Sequence, residues 1–103
     1  MSIYDKINFL FPENESKRIQ MSETKANGLS IMFDAHGLKC WQAERAINNL
    51  INIVQRPFTL TIVHGYNHGT AILKMVREKL TNPHILQRQT DTYNQGVTYL
   101  AIA

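Results

Sequence analysis

"TIVHGYNHGTAIL", residues 61–73, begins as an apolar strand, passes through two glycines and two histidines, and ends as an apolar helix. A strand that turns so abruptly into a helix is the repeating joint of an α/β fold, so the elements on either side of it decide the architecture. "TLTIV" at 59–63 supplies the strand. Ile72, Leu73, Val76 and Leu80 recur at helical spacing and form the buried stripe of a helix over about 69–80, which Asn82-Pro83 stops.

Working toward the N-terminus, "LSIMF" from Leu29 reads as a strand over 29–34. A helix over about 41–55 follows, with Ala43, Ala46, Ile47, Leu50 and Val54 on one side and Pro57 closing it. Working toward the C-terminus, 85–89 and 97–102 read as strands, with Asn94-Gln95-Gly96 supplying turn chemistry before the last. The order is β-α-β-α-β-β. Right-handed crossovers then make the first two strands parallel and put both helices on one face, giving an α/β two-layer sandwich with a mixed four-stranded sheet. Residues 1–28 look different. They are polar, carry Pro12, Asn14, Asn27 and Gly28, and hold one short apolar cluster at 7–11, so they read as a loosely ordered arm before a domain over 29–103.

Composition narrows the function. A chain of 103 residues with 44% hydrophobic content suits one domain with a real core. The single cysteine, Cys40, has no partner for an internal disulfide, which suggests a reducing compartment. No apolar run approaches the ~20 residues that span a bilayer, and the first residues do not resemble a secretory signal, so the expectation is a cytoplasmic protein without a membrane partner. Lys and Arg exceed Asp and Glu by three, and because residues 1–28 hold four of each sign, the whole excess lies in 29–103. A modest basic excess favours polyanions through phosphate attraction and counterion release.

The strand-to-helix turns "FDAHGLKC" and "VHGYNHGT" should emerge together at the carboxyl edge of the parallel strands, where ligands bind in such sheets. Asp34, His36, His64 and His68 could therefore meet in space. Gly65 and Gly69 permit positive φ or close approach, and Asn67 tolerates the left-handed region. Helix-leading amides of this kind suit a phosphate group. Each signal alone is unspecific. Asp34 and His36 also fit a simple capping turn, and His84 beside Pro83 reads as structural.

"FDAHGLKCWQAERAINNL" resembles the Asp-x-His-Gly motif that opens the Smr (small MutS-related) domain. "IVHGYNHGTAILKMVREKL" is similar to that family's second, His-Gly-x-Gly-type motif with its following helix, and "GVTYLAI" to its closing strand. Ala35 stands where the family commonly has a larger aliphatic residue, and Asn67 where it often has glycine. The resemblance implies a fold like the C-terminal domain of bacterial translation initiation factor 3, with strand order 1-2-4-3 and the last strand antiparallel to its neighbours. It also implies binding of DNA or RNA, with endonuclease activity in some members. Asp34, His36 and His64 are then the catalytic candidates. Gly65, Tyr66, Asn67, His68, Gly69, Thr70, Lys74, Arg77 and Arg88 are the candidates for phosphate contact. Asp34 would either orient a histidine or hold a Mg²⁺ ion. A non-catalytic nucleic-acid-binding module and a protein-interaction adaptor using the arm are the alternatives.

Overall fold

The computed structural model describes residues 2–66 and 70–103. In chain order the elements are helices α1 (Ile3–Leu10) and α2 (Glu13–Ser16), strands β1 (Ile19–Thr24) and β2 (Gly28–Asp34), helix α3 (Cys40–Val54) and strand β3 (Phe58–Val63). Helix α4 (Ala71–Lys74), a π-helical turn over Met75–Lys79, and strands β4 (Ile85–Thr90) and β5 (Val97–Ile102) follow. The sheet has five strands in the order β1-β2-β3-β5-β4. Only β2 and β3 are parallel, and β5 runs antiparallel to both its neighbours.

Alternation along the strands explains the layering. Leu29, Ile31 and Phe33 of β2, Phe58, Leu60 and Ile62 of β3, and Leu100 and Ile102 of β5 are buried, and all join one core with the apolar stripes of α3 and of the 71–79 helix. The residues between them, such as Met32, Thr59 and Tyr99, stay wholly or partly open to solvent. One sheet face is therefore covered by helices and the other is bare, as the two-layer reading requires. Helix α3 ends at Gln55, which takes the left-handed φ of 59°, and Pro57 disfavours the helical region at Arg56 just before it, so the helix does not resume.

Two expectations need correction. The sheet has five strands rather than four, and the segment 1–28 is folded rather than a loose arm. The Ser2 Oγ accepts the Asp5 N–H at 3.1 Å and starts α1, whose Ile7, with Phe11 just beyond, enters the core while Ile3 packs against it. Glu15, only 3% exposed, anchors α2 on α3 by accepting from Arg45 and Gln42, each at 3.2 Å. β1 then pairs with β2 from Gly28 to Phe33, with Gly28 at φ 72° completing the hairpin turn.

Candidate functional site

The parallel pairing sets Asp34 beside Val63, so the turns after β2 and β3 leave the same sheet edge. The Ala35 N–H donates to the Val63 carbonyl at 2.8 Å, and Ala35 itself is fully buried; a small side chain is what this joint holds. The next residues fold back. Gly37 takes φ 80°, and Leu38 N–H returns to the Ala35 carbonyl at 3.2 Å. This leaves His36 displayed on the outside of the turn, its side chain 66% exposed.

Asp34 holds His36 twice. One carboxylate oxygen, Oδ1, accepts the backbone N–H of His36 at 3.2 Å and also takes the ring nitrogen Nδ1 in a close contact. A carboxylate only accepts, so Nδ1 carries the proton, and Nε2 has no hydrogen-bond partner among the described residues. The turn is clamped from behind by Arg18, whose Nη1 donates to the carbonyls of both Asp34 and His36 at 3.0 Å, while its Nε donates to Asn14 at 3.2 Å.

His64 occupies a different environment although it follows directly from β3. It is buried, and both ring nitrogens have internal partners: Nδ1 donates to the Gly65 carbonyl at 2.8 Å, and Nε2 accepts from the Thr98 hydroxyl at 2.8 Å. Burial holds its pKa below the ordinary value of 6.5. The Gly65 carbonyl opposes that shift, and the nearby Arg77 guanidinium adds to it. Arg77 donates to the same Thr98 hydroxyl at 3.1 Å and to the Gln95 carbonyl at 3.0 Å. The backbone N–H groups of His64 and Gly65 both donate to the Gly96 carbonyl, at 2.9 and 3.1 Å. Gly65, at φ 72°, is thus fastened to the turn before β5, and its α-carbon faces the His36 side chain closely enough that an added Cβ would lie 3.8 Å from the Cβ of His36.

Two clefts meet at His36. One, of about 650 Å³, is walled largely by Leu38, Val63, Tyr66 and Ile72, with Asn94 at its border. The other, of about 490 Å³, opens on the bare sheet face and is lined by Lys17, Arg18, Gln20, Met32 and Asp34. His36 and Val63 belong to both.

The phosphate-contact candidates divide. Tyr66, Thr70 and Lys74 are exposed near this edge or on the helix that follows. Asn67, His68 and Gly69 lie outside the described residues. Gly65 does take a positive φ, 72°, while its amide is engaged by Gly96. Arg88 is corrected, because its guanidinium turns inward to the Val76 carbonyl at 2.6 Å and to the Leu80 carbonyl. The π-helical turn, in which Leu80 N–H reaches the Met75 carbonyl at 2.6 Å, leaves terminal carbonyls that a basic side chain can satisfy. Arg77 likewise serves the interior. Sequence reading missed Lys17 and Arg18, which fell in the supposed arm, and Thr98. The signal for Thr98 was present: it shares the inward face of β5 with Leu100 and Ile102, and a hydroxyl in such a stripe requires a partner.

Among the described residues, no group of three or more His, Cys, Asp and Glu side chains is placed to hold a metal ion. No family model, curated protein or solved structure matches this chain.

Proposed function

We propose that the protein is an Smr-like nucleic-acid-binding domain that cleaves phosphodiester bonds. The observation that carries the reading is the Asp34–His36 pair, an exposed imidazole that lines two clefts, with Nδ1 committed to a carboxylate and Nε2 without a partner among the described residues. That is the arrangement of a general base. Nε2 would take the proton of a water molecule or a ribose hydroxyl as its oxygen bonds to phosphorus; the bond to the leaving oxygen breaks, and that oxygen takes a proton from solvent.

The roles differ from residue to residue. Asp34 orients His36 and fixes its tautomer. His64, with no free ring nitrogen, acts as a positioning residue that ties the β3 turn to β5. Lys17 in the sheet-face cleft and Lys74 on the helix are exposed cations that can meet backbone phosphates, whereas Arg77 and Arg88 are engaged internally. Contacts of this kind give affinity that falls with salt and depends little on base sequence.

The test is incubation of purified protein with supercoiled plasmid and with structured RNA, each in Mg²⁺ and in EDTA. Asp34→Asn and His36→Ala should each lower the cleavage rate by about 10²–10⁴-fold while the thermal melt stays close to wild type. Their double variant should lose much less than the product of the singles, because the two groups act as a unit. Cleavage undiminished in a folded double variant refutes the assignment, and retained salt-sensitive binding without cleavage by wild type leaves the non-catalytic module.

A further inference from the structure

We infer that the cleft beside Tyr66 is a subsite for one unpaired nucleobase, so that the polymer is single-stranded where it crosses His36. The inference rests on the nucleic-acid reading above and names the substrate class of that site. Its starting point is the chemical asymmetry of the two clefts that share His36. The sheet-face cleft carries the cations of Lys17 and Arg18 and suits backbone phosphate. The other is walled largely by the side chains of Leu38, Val63, Ile72 and Tyr66. Among the described residues, its one ionisable wall group besides His36 and Tyr66 is His64, whose ring nitrogens both have internal partners and whose pKa burial lowers. A phosphate placed there would shed water and meet no Lys or Arg among the described residues of the wall, whereas a flat, weakly polar ring would lose little.

Tyr66 supplies the surface such a ring needs. It is 45% exposed, and its hydroxyl makes no hydrogen bond among the described residues. Asn94 adds an edge contact, because its Oδ1 already accepts the Gly96 N–H at 2.9 Å and its Nδ2 is left as a donor toward a base carbonyl or ring nitrogen. Every base has a π-face, so stacking of this kind tolerates any sequence. It cannot accept a base held in a duplex, whose faces are covered by its neighbours. A strand lying with phosphate on the Lys17 side and a splayed base on the Tyr66 side presents the intervening phosphodiester to the Nε2 of His36.

The measurement is fluorescence anisotropy with labelled short single strands of RNA and of DNA, their duplexes, and an abasic strand of equal length, over a range of salt. Wild type should bind at least one of the two single strands about tenfold or more tighter than either duplex or the abasic strand, and the RNA and DNA arms identify which polymer is preferred. Tyr66→Ala should weaken single-strand binding by about five- to hundredfold, the loss of one stacked base, and leave abasic-strand binding unchanged. Tyr66→Phe should retain the wild-type preference. Lys17→Ala should weaken all probes alike. If Tyr66→Ala is indifferent, or duplex and single strands bind equally while binding remains salt-sensitive, the base subsite is wrong and the nucleic-acid reading stands. If no probe is bound in a salt-sensitive way, both are wrong.

Discussion

The hydroxyl of Thr98 donates to the Nε2 of His64 at 2.8 Å and, on its other side, accepts the Nε–H of Arg77 at 3.1 Å. Thr98 is fully buried, so this one oxygen joins the buried His64 to the partly buried Arg77. Thr98→Val keeps the shape and removes the oxygen, leaving an acceptor on His64 and a donor on Arg77 without partners. The expected loss of stability is about 1–3 kcal/mol. Thr98→Ser keeps the oxygen and removes a methyl group, for which about 0.8 kcal/mol is expected. Equilibrium denaturation of the pair decides the point, and a valine variant as stable as the serine variant would show that the bridge contributes nothing.

The depressed pKa of His64 fixes a pH dependence. In the unfolded chain its imidazole protonates near the ordinary value of 6.5, whereas the folded protein keeps it neutral to lower pH. The unfolded state therefore binds the proton first as pH falls. His64 contributes its full share of stability above the unfolded value and loses it progressively as pH drops toward and through the folded one. His64→Gln should flatten that part of the stability curve between about pH 7.5 and about pH 5. Denaturation midpoints across that range provide the comparison, and parallel curves for variant and wild type would refute the assignment.

Two glycines near the site should respond differently to alanine. At Gly96 a new Cβ would lie 3.1 Å from the Gly65 α-carbon, 3.2 Å from Asn94 Oδ1 and 3.4 Å from the Gly65 nitrogen. The Asn94 side chain can move, but the Gly65 backbone is pinned by its own bond to Gly96. Gly96→Ala should cost about 1–3 kcal/mol and slow cleavage by pushing the β3 turn away from His36. At Gly37 a Cβ meets nothing within 4 Å, and only the φ of 80° opposes it, so about 1–2 kcal/mol is expected. Thermal melts beside cleavage rates separate the two cases: Gly37→Ala acts through strain at its own turn, Gly96→Ala through its neighbour.

How far the sequence foretold the molecule depended on whether the informative contact was local. The strands from residue 28 onward and helix α3 followed from periodicity, because β2, β3 and β5 alternate and α3 keeps its apolar residues on one side, and the resemblance supplied the order in which the strands pair. The helix expected over about 69–80 is instead the short α4 and a π-helical turn. The Asp34–His36 turn was legible because its partners stand two residues apart. The N-terminal elements were missed although their signals were short-range. Ser2 lies three residues before Asp5 as a helix cap, Ile3, Ile7 and Phe11 repeat every four residues, and Ile19 and Met21 alternate with polar neighbours. Each is weak alone and gains force only from the β2 edge and the α3 face that receive it. The fates of Arg77 and Arg88 were not legible at all. Whether a guanidinium meets solvent or an interior carbonyl is set by the π-helical turn and by the path of β4 and β5.

The folded state of the first residues can be tested by removing them. A variant lacking residues 2–24 loses β1, leaves the β2 edge unpaired, and uncovers the surface that Ile7 and Phe11 bury, each worth about 1.5–3 kcal/mol. It should be insoluble or melt far below the full chain in circular dichroism. A cooperative melt near that of the full chain would restore the reading of these residues as an arm.

The last prediction separates two basic neighbours that reach the site from opposite sides of one peptide bond. Arg18 spans the carbonyls of Asp34 and His36 with a single nitrogen and holds Asn14 with another, so it sets the angle at which His36 is presented. Lys17 exposes its ammonium in the adjoining cleft, where no ion pair engages it among the described residues. Arg18→Ala should therefore cut turnover by about 10²-fold, the scale of a misplaced catalytic group, while nucleic-acid affinity changes little. Arg18→Lys should recover only part of the rate, because an ammonium cannot reproduce the planar fork that reaches Asn14 and the turn together. Lys17→Ala should do the reverse: weaker binding, a salt slope reduced by about one, and near-normal turnover once substrate is saturating. Single-turnover rates at saturating protein, set beside salt-dependent affinities, read the two effects apart. If Arg18→Ala weakened binding and spared the rate, the clamp would be a phosphate contact and the orientation of His36 would have to come from Asp34 alone.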